Sequence, residues 1–134
     1  MTDVLVDSNV LLDVATGDAR WGEWSTATLE HLADTSILVI NPIVYSEVSI
    51  GFSTIEAVEE ALPADLYRRE RLPYEAAFLA GKCFLRYRRA GGTKRSPLPD
   101  FFIGAHAAVS GYRLLTRDPG RYRTYFPRLP LISP

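Results

Sequence analysis

Sixteen of the 134 residues are acidic, and four of them stand in surroundings that suit chemistry better than solvation. Asp7 directly follows the apolar triplet Val4-Leu5-Val6, and Asp118 follows Leu114-Leu115 with Thr116 and Arg117 between. Glu47 lies in a helical pattern whose neighbours one turn away are Ile43, Val44, Ile50 and Gly51, so it is an acid on an apolar face. Asp100 opens the run Phe101-Phe102-Ile103-Gly104-Ala105, straight after Pro99. A carboxylate buried alone is costly, so such groups must be paired, protonated or bound to a cation. An oxygen-rich set of this kind suits Mg²⁺ or Mn²⁺, as one or two ions. Such ions activate a water and steady the leaving oxygen of an in-line phosphoryl displacement. Asn9 and Thr116, beside Asp7 and Asp118, are the residue types that orient such acids by hydrogen bonding.

Each acid also has a plainer reading. Asp100 could simply favour the first turn of a helix, and Glu47 could pair with an arginine. Asp18, Glu23, Glu30, Asp34, Glu56, Glu59, Glu60, Glu70 and Glu75 lie on polar segments and read as solvated surface. Asp13 fits either the surface or a polar helix contact. Ser8 reads as a helix cap, Cys83 as a core thiol, and His106 as a helix packing residue.

The elements that must position these residues can be read from apolar patterning. Val4–Val6, Ile37–Ile40, Leu114–Leu115 and Leu129–Ile132 are short apolar runs without alternation, as expected of parallel strands covered on both faces. In residues 74–90, Ala76, Ala80, Cys83, Phe84 and Tyr87 form one helical stripe, and Gly91-Gly92 supplies a stop. Further helices are predicted at about 8–15, 20–34, 42–51, 54–61, 99–110 and 119–125. Alternating strands and helices imply an α/β domain, and residues 1–134 read as a single one. In such sheets the ligand crevice lies beyond the C-terminal strand ends, which is where Asp7 and Asp118 fall.

Composition narrows the classes. With 47% hydrophobic and 23% charged residues, the chain reads as a globular domain rather than a disordered, collagenous or disulfide-stapled one. One cysteine forms no internal bridge, and no apolar run reaches the ~20 residues of a membrane span. No basic-then-apolar leader opens the chain, so a cytoplasmic location is expected. The phosphate-cradling glycine motifs and the calcium-loop pattern are missing from the sequence. Net charge is -1, yet residues 1–64 carry -10 (one basic residue, eleven acids) and residues 65–134 carry +9 (fourteen basic residues, five acids). Such asymmetry suits a polyanionic partner, although two faces attracting each other would also produce it. Lys82, Arg86, Arg89, Lys94, Arg95, Arg117 and Arg121 are the candidates for contact with the phosphates of such a polyanion. Tyr87, Tyr122 and Tyr125 lie among them, placed either to stack on bases or to pack.

The segments that carry the acids resemble a known family. Val4-Leu5-Val6-Asp7-Ser8-Asn9-Val10-Leu11-Leu12-Asp13 looks like the opening strand and first acid of a PIN domain. Asn41-Pro42-Ile43-Val44-Tyr45-Ser46-Glu47-Val48 is similar to its second motif, Leu98 to Ala107 to its third, and Leu115 to Tyr122 to its fourth. Size and the arginine-rich second half resemble the VapC-type toxins of toxin–antitoxin pairs. The resemblance implies a three-layer α/β/α sandwich with about five parallel strands, and a magnesium- or manganese-dependent endoribonuclease. It implies Asp7, Glu47, Asp100 and Asp118 as catalytic, metal-binding acids. It further implies RNA as substrate, a small protein antitoxin as inhibitor and a homodimer. One departure stands out: some members carry another acid just after the fourth motif, where this chain has Pro119, Gly120 and Arg121. Two rival readings remain, a catalytically silent PIN-like module that binds RNA or protein, and a phosphatase with Asp7 as nucleophile. Asn9 disfavours the latter, because such enzymes place a second Asp there.

Overall fold

A computed structural model describes residues 3–134 of the chain. Five strands form one parallel sheet: β1 (Asp3–Val6), β2 (Ile37–Ile40), β3 (Tyr67–Arg69), β4 (Arg113–Leu115) and β5 (Leu131–Ile132). Seven helices occupy the connections and flank the sheet: α1 (Ser8–Thr16), α2 (Gly22–Thr35), α3 (Pro42–Ser49), α4 (Ile55–Ala61), α5 (Tyr74–Arg89), α6 (Pro99–Ser110) and α7 (Gly120–Tyr125). The result is the three-layer α/β/α arrangement expected from the sequence.

Strand order is β3-β2-β1-β4-β5, so successive strands step one way from β1 and then the other. Leu5 pairs with Val39 on one side and with Leu114 on the other. The direction of winding therefore reverses between β1 and β4, and a crevice opens beyond the ends of those two strands. Val4, Leu5, Val6, Leu114 and Leu115 have no exposed surface. This burial on both faces explains why their runs do not alternate.

The structure departs from the sequence expectation at one predicted strand and adds one that was not predicted. The run Leu129–Ile132 contributes only Leu131–Ile132 to the sheet. Strand β3 has no apolar run to announce it: its three residues are Tyr67, Arg68 and Arg69. Only Tyr67 is buried there, and the arginines are held by side-chain partners, Arg68 by Asp3 and Glu70 and Arg69 by Glu59. Charged residues on an outer strand also discourage edge-to-edge pairing with another sheet.

Helix α6 carries Asp100 and lies against α5, where the small buried side chains Ala76 and Ala80 allow close approach. Phe101, Ile103, Ala105 and Ala107 are buried on both sides of this helix. Gly104 on the same helix is pressed against Phe126: a Cβ there would stand 2.4 Å from Cε2 of that ring. The substitution Gly104→Ala is therefore expected to destabilise the fold by about 1–3 kcal/mol through overpacking, despite the better helix propensity of alanine. Adding Phe126→Leu should recover part of the loss in a urea titration. A Gly104→Ala variant as stable as the parent would show that the ring is not a fixed wall.

Candidate active site

The four acids meet at the crevice. Asp7 is the residue after β1, and its backbone N–H bonds to the Leu115 carbonyl at 2.9 Å, which extends the β1–β4 pairing by one step. Its side chain is only 3% exposed. Glu47 comes from α3, half-buried, and Asp100 from the first turn of α6. Asp118 stands exposed in the turn between β4 and α7.

Hydroxyl groups tie these acids together. The Tyr122 hydroxyl lies 2.9 Å from Asp7 Oδ2 and 3.4 Å from Asp100 Oδ1. Ser8 Oγ lies 2.8 Å from Glu47 Oε1 and 3.4 Å from Asp7 Oδ1. Each hydroxyl has one proton, so the shorter contact receives it: Tyr122 donates to Asp7 and Ser8 donates to Glu47. Thr116 Oγ1 donates to Asp7 Oδ2 at 2.9 Å, and Asn9 Nδ2 reaches the same oxygen at 3.3 Å. Asn9 also donates to Thr116 and accepts from the Arg117 backbone N–H. The donors therefore converge on one oxygen of Asp7 and leave Oδ1 facing the other acids without a short bond.

Electrostatics follow from burial and crowding. Asp7 is raised to about 6, chiefly by burial, with Asp100 and Glu47 adding repulsion against the lowering effect of Tyr122 and Thr116. Glu47 is raised by burial and by Asp100, against the bond from Ser8. Asp100 is raised by burial and by Asp118, against the opposing charge of Arg121. The Tyr122 phenol is pushed well up, by burial first and then by Asp7 and Asp100, and so remains a donor. Arg121 Nη1 lies 3.3 Å from Asp100 Oδ2. A cavity of about 400 Å³ opens over this side, lined by Tyr87, Asp100, Asp118, Arg121, Thr124 and Tyr125.

A second network fixes the helices beneath. Asn41 caps α3 by accepting from the Val44 N–H at 2.9 Å, and its Nδ2 donates to His106 Nδ1 at 3.0 Å. That bond assigns the proton of the buried His106 ring to Nε2, 3.3 Å from Glu70 Oε1. Burial lowers the imidazole pKa and favours this neutral form. His106 is on α6 and Asn41 starts α3, so the network links the helices that carry Asp100 and Glu47.

Several sequence expectations are corrected here. Ser8 does not cap α1; its hydroxyl is drawn to Glu47. Glu70 is not a solvated surface acid, because Tyr112, His106 and Arg68 all bond to it. Tyr122 is 1% exposed and cannot stack on a base. Its role went unread because a tyrosine between two arginines looks like a surface residue until its helix is packed. Asp13 is a buried helix contact, bonded to Ser25 Oγ at 2.9 Å and Arg117 Nε at 2.8 Å. Arg117 is thereby engaged as the partner of a buried carboxylate, which displaces it from the set of free cations. Among the other cations, Arg86 lies over Tyr125 at 5.3 Å, at the rim of the cavity, and Lys82 lies over Phe78 at 5.2 Å. Arg89, Lys94 and Arg95 are exposed, and none of the described contacts joins them to the acids.

The family model for the PIN domain matches residues 4–127. The chain belongs to the PIN-domain family. Solved PIN-fold structures of low sequence identity agree over nearly the whole chain. A chain of VapBC2 from Rickettsia felis, bound to a DNA fragment from its promoter, superposes with a TM-score of 0.74 at 18% identity, covering 97% of each chain. VapBC-1 from nontypeable Haemophilus influenzae gives 0.71 at 16% identity, covering 97% of this chain and 96% of that one. VapC20 of Mycobacterium tuberculosis, described as a sarcin-ricin loop cleaving toxin, gives 0.55 at 14% identity, covering 83% of this chain and 85% of that one. A search of curated proteins finds no match.

The PIN-domain site makes stability depend on pH in a defined direction. Asp7 is raised from 3.8 to about 6, so its protonation favours the folded state fully below about pH 4, and that contribution is lost as pH rises through 6. Asp7→Asn, which carries no charge, should therefore be more stable than the parent at pH 7.5 in chelator, by about 1–3 kcal/mol. Urea titrations at several pH values should show the gap closing toward pH 4.5. A constant gap would assign the effect to packing instead.

Proposed function

We propose that the chain is a metal-dependent endoribonuclease, the toxin of a toxin–antitoxin pair. The observation that carries this reading is the convergence of Asp7, Glu47, Asp100 and Asp118 on one crevice, with Asp7 oriented by neutral donors on a single oxygen. Those donors leave Asp7 Oδ1 and Glu47 Oε2 without short bonds, and no hydrogen bond is described to the Asp118 carboxylate. Such oxygens suit a hard divalent cation, Mg²⁺ or Mn²⁺. Among the described residues no three acids stand close enough to hold an ion as placed. When bound, the ion would supply an activated water and stabilise the oxygen leaving the cleaved phosphodiester.

The chain's own residues do the rest. Thr116, Tyr122 and Asn9 hold Asp7 in one orientation, and Ser8 holds Glu47. No histidine lies against the four acids to protonate a leaving ribose, because His106 is turned toward Asn41 and Glu70. By the resemblance to the PIN family, water adds to phosphorus as the P–O3′ bond breaks, so the products end in 5′-phosphate and 3′-hydroxyl. Arg86, over the Tyr125 ring that lines the cavity, would receive the RNA backbone, with Lys82, Arg89, Lys94 and Arg95 on α5 and the loop after it as further candidates. They offset the repulsion between RNA and the acids and give binding a salt dependence.

The partner assignments are also part of this proposal. The similar VapBC structures are toxin–antitoxin assemblies in name, which supports a small antitoxin as the natural inhibitor. Exposed Tyr74 and Phe78 on α5, with Ile50 and Ile55 around the start of α4, offer apolar area for an antitoxin or a second copy in a homodimer. Among the described residues no helix is long and apolar enough to cross a membrane; a cytoplasmic toxin is the corresponding proposal.

Purified protein should cut a mixed pool of cellular RNA into defined fragments with Mn²⁺ or Mg²⁺ and leave it intact in chelator. Asp7→Asn and Asp100→Asn should each lower the rate at least about 100-fold while retaining the folded circular dichroism spectrum. Cleavage that persists in both variants would remove the four acids from the mechanism. Binding of RNA without cleavage by the parent protein would favour the silent-module reading.

A further inference from the structure

Arg121 is an unusual resident of an acidic site. It occupies the second position of α7, one residue before the buried Tyr122, so its backbone is fixed by a side chain that itself bonds to Asp7. Its guanidinium sits against Asp100 Oδ2, with the side chain still 43% exposed. It shares the 400 Å³ cavity with Asp100 and Asp118 and with the rings of Tyr87 and Tyr125. That volume lies in the range of small-ligand sites. Asp100 thus has a cation on Oδ2 and only the long Tyr122 contact on Oδ1.

We propose that Arg121 is a built-in second cation of this site: it neutralises Asp100 in the resting protein and passes to a non-bridging phosphate oxygen of RNA once a metal ion takes that carboxylate. The inference rests on the nuclease reading above and refines it. A guanidinium and a divalent ion compete for the same Asp100 oxygen, and both being positive they repel each other there. The exposed side chain can leave without opening the core. The cavity it faces is also lined by the rings of Tyr87 and Tyr125. Planar guanidinium geometry suits two phosphate oxygens at once, which lysine cannot match. The site would accordingly take one tightly held ion, with the arginine standing where a second would otherwise neutralise the phosphate.

Calorimetric titration with Mn²⁺ and RNA binding test this together on the full chain. Arg121→Ala should bind Mn²⁺ about 2- to 5-fold more tightly than the parent, the range of an exposed ion pair removed from competition. A fluorescent, hydrolysis-resistant phosphorothioate single-stranded RNA of about a dozen nucleotides then reports phosphate contacts, each worth about 0.7 in the slope of log affinity against log salt. The slope for Arg121→Ala should fall by about that amount in Mn²⁺ and match the parent in chelator, where Arg121 is engaged by Asp100. Arg121→Lys should keep the slope and recover the parent's Mn²⁺ affinity. Mn²⁺ affinity unchanged or weakened in Arg121→Ala overturns the proposal, as does a slope difference of equal size with and without metal. If the parent itself binds no Mn²⁺, the nuclease reading falls and this inference with it; if the parent binds Mn²⁺ and Arg121→Ala matches it, only the inference falls.

Discussion

The carboxylate of Asp7 has to remain available as an anion in a place that water barely reaches, and much of the molecule is arranged around that requirement. Left to burial alone it would take up a proton near neutral pH. Three donors from three different segments oppose this: Thr116 after β4, Tyr122 on α7 and Asn9 on α1. Each is supplied by an element that the sheet topology brings to the same edge. All three bond to a single oxygen, so they stabilise the charge without enclosing it. Asp100 and Glu47 add repulsion to the same carboxylate, so like charge gathers at this edge of the sheet.

The second acid-bearing pair is held less directly. Glu47 and Asp100 sit on α3 and α6, which are distant in sequence, and Asn41 and His106 form the joint between them. Asn41 uses its oxygen on the start of α3 and its nitrogen on the imidazole, so neither group could be replaced by an apolar residue without orphaning the other. The Nε2–H of His106 is directed at Glu70, which is in turn held by Tyr112 and Arg68. A chain of polar contacts thus runs from the outer strand β3 to the helices of the site, and the charges of β3 have a structural use beyond solubility.

The four acids and the strands preceding two of them were legible in the sequence because their signals are local: an apolar run, then a carboxylate. The helical stripe on α5 was legible for the same reason, and Ala76, Ala80 and Cys83 are its buried residues. Strand β3 was not legible, since Tyr-Arg-Arg has no apolar pattern and becomes a strand only by pairing with β2. Ser8 was misread, and Tyr122 stayed open between stacking and packing, because a hydroxyl reveals its function through its acceptor, and their acceptors are remote: Asp7 is 115 positions from Tyr122, and Glu47 is 39 from Ser8. Asp13 and Arg117, whose separation is 104 positions, show the same limit. Residue types that are equally at home on a surface can be assigned only after the contacts between elements are known.

The central position of β1 bears on when during synthesis such a site comes into being. This strand is made early, yet one of its two neighbours is β4, and the hydroxyl that orients Asp7 lies 109 positions further along the chain. Closing so long a loop has to precede the contacts that reward it, which places the β1–β4 pairing late in folding. A nascent chain still lacking β4 and α7 has Asp7 but neither Thr116 nor Tyr122 to hold it, and Asp118 is absent as well. Polypeptides interrupted on the ribosome before that point carry three of the acids and no assembled crevice.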